Sequence, residues 1–193
     1  IAWSIPNIWY FADTDGDDRA DLRQVLFGPL GYEKDTHGMC SSFRLGLDGW
    51  VYATHGFNNT SHLKAGDGST LDLHSGSVFR FRQDGSRVEL WCAGQVNPFG
   101  LCWDRFLNLY SADCHSNPIM QLIRGATYPS FGKPAPPGLG FGPVMCEHSH
   151  GSTGLCGIVC IDGGVWGPAW DDRILVGNCV TSRVNRDRIE FSG

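Results

Sequence analysis

The sequence predicts an all-β chain built from one sheet unit used several times over, and three observations carry that expectation. Twenty-six glycines and ten prolines punctuate short apolar runs along the whole length, and those runs are bounded by Gly, Asp or Asn, as hairpin strands are. No long stretch sustains the 3.6-residue apolar period of an amphipathic helix. Three runs also echo one another: SFRLGLDGWVYATHG, PFGLCWDRFLNLYSAD, and TGLCGIVCIDGG with the later DDRILVGN. Each has a small or Gly-containing lead-in, an apolar strand, a turn of Asp, Gly or Asn, and a second strand. A sheet repeated in this way and closed radially is a β-propeller; an all-β sandwich is the alternative. At about 40–50 residues per blade the chain holds roughly three to four blades, and a six-bladed ring needs more chain. Residues 1–193 are therefore expected to be a single partial domain of a longer chain. The start, IAWSIPNIWYF, reads as already inside a strand, and the end, RDRIEFSG, stops just after one.

The first strands, IWYFAD and RQVLFG, flank the acidic loop DTDGDDRAD. Asp13, Asp15, Asp17 and Asp21 fall at relative positions 1, 3, 5 and 9 of a calcium loop, and Arg19 can offer its carbonyl from position 7. Gly16 lies earlier than such loops place it, and Gln24 replaces the bidentate Glu, so any affinity is expected to be modest and the role structural. The competing reading is an acidic hairpin turn.

Next comes EKDTHGMCSSFRLGLDGWVYATHGF, with His37 ahead of one apolar strand and His55 behind the next. Asn58 and Asn59 follow in GFNNTS. The hairpin GSVFRFRQDGSRVELWCAG leads to GQVNP and Asn97, and Asp113 and His115 close the strand NLYSAD. Residues 129–143, rich in Pro and Gly, read as a loop between units and a candidate pocket rim. HSH then puts His148 and His150 on one side of an extended segment. His55, Asp113, His115, His148 and His150 each sit at the corresponding end of their units. In a ring they can converge, and His with Asp can hold a transition metal, a quinone or a sugar. Taken singly, each is an ordinary hydrogen-bonded loop residue. IMQLIRG, GLCGIVCID, DRILVGN and SRVNRDRIEF supply the remaining strands.

Charge and composition narrow the function. Twenty Asp and Glu against fifteen Lys and Arg give a net charge of −5, which offers no basic surface for nucleic acid. No apolar run is long enough for a membrane-spanning helix, and the first residues lack the features of a signal peptide. No nucleophile elbow, HExxH helix or phosphate-binding Gly loop occurs. Eight cysteines without a CxxC pair leave two readings, buried thiols or one or more disulfides.

GQVNPFGL, NLYSAD, IMQLIRGATYPSFGKP, DTHGM, DGWVYATHGFNNTS, HSHGST and VTSRVNRDR together resemble the soluble quinoprotein glucose and sorbosone dehydrogenases. More closely still, the chain resembles large exported bacterial proteins of the membrane-bound dehydrogenase or PVC-type haem-binding group. The resemblance implies a propeller that oxidises a sugar or other alcohol by hydride transfer to pyrroloquinoline quinone (PQQ), with a cytochrome c as electron acceptor and a periplasmic or extracellular setting. It implies His37 as general base, a role suited to imidazole, although a loop His bonded to a neighbouring backbone group is the plain alternative. It implies Asn97 as a cofactor contact. Val96 stands where the resemblance expects an Arg for the quinone's carboxylates. Two other functions remain open: a non-catalytic propeller binding carbohydrate or a protein, and a calcium-dependent lactonase-like hydrolase.

Overall fold

The computed structural model describes residues 1–130, 140–141, 145–146 and 148–191. Most of the expected rim loop at 129–143 lies outside the described residues. Among those described, regular structure is all strand apart from one short 3-10 turn, Pro168–Trp170. The first sheet is β1 (Ala2–Ser4), β2 (Asn7–Ala12) and β3 (Leu22–Phe27). β4 (Phe43–Leu45) and β5 (Trp50–His55) open the second. A separate ribbon of β6 (Thr60–Lys64) and β7 (Thr70–His74) follows, before β8 (Ser77–Arg82) and β9 (Val88–Ala93) extend the second sheet from β5. The third sheet is β10 (Asn97–Trp103), β11 (Leu109–Cys114) and β12 (Met120–Leu122). β13 (Ala126–Thr127) and β14 (Gly140–Phe141) then run parallel along the β9 edge of the second sheet. The last sheet is β15 (Leu155–Ile161), β16 (Arg173–Asn178) and β17 (Arg183–Arg188).

The three echoing runs form the antiparallel hairpins β4–β5, β10–β11 and β15–β16. A carboxylate organises each turn. Asp48 accepts the Trp50 amide at 3.2 Å and the Tyr52 hydroxyl at 2.9 Å. Asp104 accepts the amides of Phe106 and Asn108, both at 2.8 Å, and the Tyr110 hydroxyl at 3.0 Å. Asp162 reaches back to the preceding turn and accepts the Arg105 amide at 3.1 Å.

Every residue of β5 is buried, and the two-residue strand period divides them between two faces. Val51 and Ala53 pack with Ile8 and Phe27 of the first sheet, whereas Trp50 and Tyr52 pack with Leu101, Leu109 and Met120 of the third. The third sheet divides likewise, sending Cys102 and Tyr110 against Leu155, Ile158 and Ile174 of the last. The sheets therefore stack face to face in chain order. Nearly buried Arg80 is paired with Asp48 at 3.0 Å and Glu89 at 2.7 Å, and its guanidinium lies 4.3 Å from the Trp50 ring centre.

The β6–β7 ribbon has no counterpart among the strands expected from sequence. His62, Lys64, Asp72 and His74 make it read as a polar loop, yet Ser61, Leu63 and Leu73 are buried. All eight cysteines are free thiols; Cys40, Cys92 and Cys102 are buried as expected of thiols in apolar runs, four others are half-buried and Cys179 is exposed.

Asp104→Ala should strand the Tyr110 hydroxyl and two turn amides and cost about 2–4 kcal/mol. Tyr110→Phe, which leaves the amides satisfied, should cost about 1 kcal/mol. Urea unfolding of both variants checks the order; equal costs would show that the turn amides do not depend on this carboxylate.

Candidate functional site

The end of β5, the start of β10 and the end of β11 share one edge, with Asn97 opposite Cys114 and Pro98 opposite Asp113. The segment carrying His37 docks on this edge backbone to backbone. A Cβ on Gly38 would lie 2.2 Å from the Phe57 nitrogen, and one on Gly56 would lie 2.4 Å from the Gly38 carbonyl carbon and 2.6 Å from Asn97 Oδ1. Only glycine allows that approach. Asn59 clamps the segment, its Nδ2 donating to the carbonyls of Asp35 at 2.5 Å and Gly38 at 3.3 Å. Ser41 Oγ donates to the Pro98 carbonyl at 2.8 Å, tying the same segment to β10.

The His37 side chain is 92% exposed, with Nδ1 3.0 Å from Asp35 Oδ1. The same oxygen accepts the His37 amide at 2.8 Å. Burial works to raise the Asp35 carboxyl, but the His37 amide and ring outweigh it and hold the group below the usual carboxylate range. A carboxylate in this position accepts a hydrogen bond from Nδ1–H and leaves Nε2 as the proton acceptor. Asp35 was not a sequence candidate; its signal was the D-x-H spacing in DTH.

Asn97 is buried, and among the described residues its Oδ1 has no partner. An orphaned acceptor beside the Gly38–Gly56 contact marks a place where a donor is wanted. Beneath it, buried Asp113 accepts the amides of Asn97 at 2.7 Å and Val96 at 3.0 Å, together with the Ser116 hydroxyl. Desolvation pushes the Asp113 carboxyl up to about 6 against those three donors. Asp113 thus sets the backbone that presents Asn97. The Val96 side chain is buried at 2% exposure.

The other candidate histidines have different surroundings. His55 is buried, with Nδ1 donating to the Ser75 carbonyl and Nε2 accepting from Ser61 Oγ, both at 2.8 Å. Burial lowers its pKa, so it is a neutral imidazole tying β5 to the ribbon. His115 is exposed in the left-handed region, φ 81°, and its amide donates to the Thr153 carbonyl at 2.9 Å. His148 and His150 come together on Asp187 of β17, their Nε2 atoms 3.0 and 2.8 Å from its two oxygens. Asp187 was missed because it lies between Arg186 and Arg188 in a run that reads as a solvated strand.

In the acidic loop, Asp13, Asp15 and Asp21 hold carboxylate oxygens within 4.8 Å of one another. Asp17 caps the Arg19 amide at 2.9 Å and is outside that group. The Gly16 amide, with those of Asp18 and Asp15, keeps the Asp13 carboxyl below its ordinary range.

Residues 1–193 match the family model described as Domain of unknown function (DUF7133). No curated protein matches the chain. A solved structure named glucose dehydrogenase shares the fold with a TM-score of 0.62 and 21% identity, over 94% of this chain and 59% of that one. The chain thus spans less than two thirds of that neighbour's length.

Because the folded Asp113 pKa of about 6 lies above the ordinary 3.8, its contribution is fully present below pH 3.8 and is lost as pH rises through 6. The stability of the wild type relative to Asp113→Asn should therefore fall by on the order of 2–3 kcal/mol between pH 4 and 7. Urea unfolding at each pH checks this, and a pH-independent difference would contradict it.

Proposed function

We propose that this chain, which belongs to the DUF7133 domain family, is part of a dehydrogenase-like β-propeller that oxidises a hydroxyl of a sugar or other alcohol with His37 as general base. The Asp35–His37 pair at 3.0 Å carries the reading. An alcohol gives up hydride from carbon as the hydroxyl proton leaves, and the base for that proton must be oriented while keeping one nitrogen free. Asp35 orients the ring, and exposed Nε2 is available to the substrate.

The propeller reading gains support from the serial stacking of the sheets. Phe11, Leu22 and Val25 of the first sheet and Val159 and Val184 of the last are exposed apolar residues, as expected of blade faces that neighbouring blades cover. At the site, the orphaned Asn97 Oδ1 lies buried beside the Gly38–Gly56 contact, so a flat group that donates a hydrogen bond would reach it only as that contact opens. PQQ is the proposed acceptor and would take the hydride when bound. The fit is incomplete, because buried Val96 offers its carboxylates no cation. Electron transfer to a cytochrome c, kinship with the PVC-type haem-binding proteins and a periplasmic or extracellular setting belong to the same proposal. Val96 favours the second reading, a propeller that binds carbohydrate and has lost the quinone. Calcium in the Asp13–Asp15–Asp21 loop would serve structure.

In the complete natural protein supplied with PQQ, dye-linked oxidation of sugars and alcohols should fall by about 10²–10⁴-fold in His37→Ala. Asp35→Asn should lower the rate less and leave substrate binding near wild type. Undiminished turnover in His37→Ala would remove the base from this reading, whereas carbohydrate binding without turnover in the wild type would support the binding module. Calcium at about 100 times its dissociation constant should add about 2.7 kcal/mol of stability. Asp21→Asn should abolish that gain in a thermal melt.

A further inference from the structure

We propose that His148, His150 and Asp187 form a site for a divalent transition-metal ion, separate from the His37 site. The two Nε2 atoms face different oxygens of one carboxylate, at 3.0 and 2.8 Å, with ring centres 4.9 Å apart at 70°. Nitrogen and oxygen ligands held about 2.1 Å from an ion at near-right angles lie about 3 Å from each other. At the tetrahedral angle that zinc favours the spacing is about 3.4 Å, so the donor atoms need to part by only about half an ångström, and all three residues bring one within 4.8 Å of the others.

The local sequence makes the arrangement. The H-x-H spacing projects both rings from one side of an extended segment. Asp187 pairs with Ile174 across the β16–β17 ladder and points away from its neighbours Arg186 and Arg188, which alternate to the other face. Arg186 lies instead over the Trp170 ring, 5.1 Å from its centre. Among the described residues no Lys or Arg pairs with Asp187, whose side chain is only 15% exposed. Its charge is met by the two imidazoles alone. In the metal-free state each Nε2 donates its proton to the carboxylate; on metal binding that proton moves to Nδ1 or to solvent.

Two imidazoles and one carboxylate suit zinc or iron(II) better than calcium or magnesium, which favour all-oxygen shells. His148 and Asp187 also stand in the wall of a cavity of about 720 Å³, with Tyr110, Gln121, Cys146 and Glu190. Three protein ligands at the edge of such a space leave room for a water or a substrate oxygen on the ion, the pattern of an open rather than a closed site. The competing reading, a His–Asp–His cluster that only knits the 148–150 segment to β17, predicts no metal.

The test is zinc titration of chelator-treated protein against a chromogenic zinc indicator. One equivalent should bind, and Asp187→Asn should weaken it by more than about 100-fold, the upper end of what loss of an outer-shell partner costs. His148→Gln, at a half-exposed position that the fold tolerates, should also weaken it while circular dichroism stays unchanged; His74→Ala should not. Absence of stoichiometric binding, or wild-type affinity in both His148→Gln and Asp187→Asn, would overturn the site. The readout needs neither quinone nor turnover, so it is independent of the dehydrogenase reading.

Discussion

The structure depends on sheets that are apolar on both faces. β5 buries Val51 and Ala53 on one side and Trp50 and Tyr52 on the other, and neither set can be left to water. Each large side chain so buried contributes about 1.5–3 kcal/mol, and that gain requires a neighbouring sheet on each side. The stacking order follows from this requirement, and polar contacts between consecutive sheets, such as Ser41 Oγ to the Pro98 carbonyl and the Arg105 amide to Asp162, add to it. It also brings the start of β10 beside the end of β5, which is why the Asn97 amide oxygen comes close to Gly56. The site is thus a by-product of how the core is shared between consecutive sheets.

The two ends of the hairpins are held by different means. At the turn end, Asp48 and Asp104 collect amides and tyrosine hydroxyls, and Arg80 fills the seam between Trp50, Trp91 and two carboxylates. Tyr52 packs edge-on against Trp91 and Trp103 with centroids 5.0 and 4.9 Å apart, which stiffens the same region. At the opposite end the chain is held by glycine contacts, the Asn59 clamp and the buried Asp113. That end leaves the side-chain oxygens of Gln95 and Asn97 without partners among the described residues, and the His37 imidazole exposed. A scaffold fixed at one end by its own satisfied polar groups can present unsatisfied ones at the other.

The hairpins were legible because a strand's period is two and its turns carry Asp, Gly or Asn; β4–β5, β10–β11 and β15–β16 follow directly from LGLDGWVY, CWDRFLNLY and IDGG. The β6–β7 ribbon was not, because its outward residues are polar and only Ser61, Leu63, Leu71 and Leu73 face in. Candidate residues were legible by type but not by partner. His37 and His55 share the dipeptide His-Gly, yet one is exposed on a carboxylate and the other is buried between a serine hydroxyl and a backbone carbonyl. What separates them is Asp35 two residues before one, and Ser61 and Ser75 folded over the other. Long-range pairings such as His148 and His150 with Asp187 leave no local trace in sequence at all.

Val96 shows how the core constrains the site. Its side chain is buried and its amide is held by Asp113, so the backbone there is fixed. An arginine at this position would have to turn its guanidinium out of the core or bury a charge, at several kcal/mol without a paired carboxylate. The carboxylate that holds the Val96 amide, Asp113, is already committed to two amides and the Ser116 hydroxyl, and burial raises its pKa. Val96 in GQVNP therefore suits its surroundings: this edge satisfies a buried carboxylate with two backbone amides and the Ser116 hydroxyl, and a buried side chain there is best left uncharged.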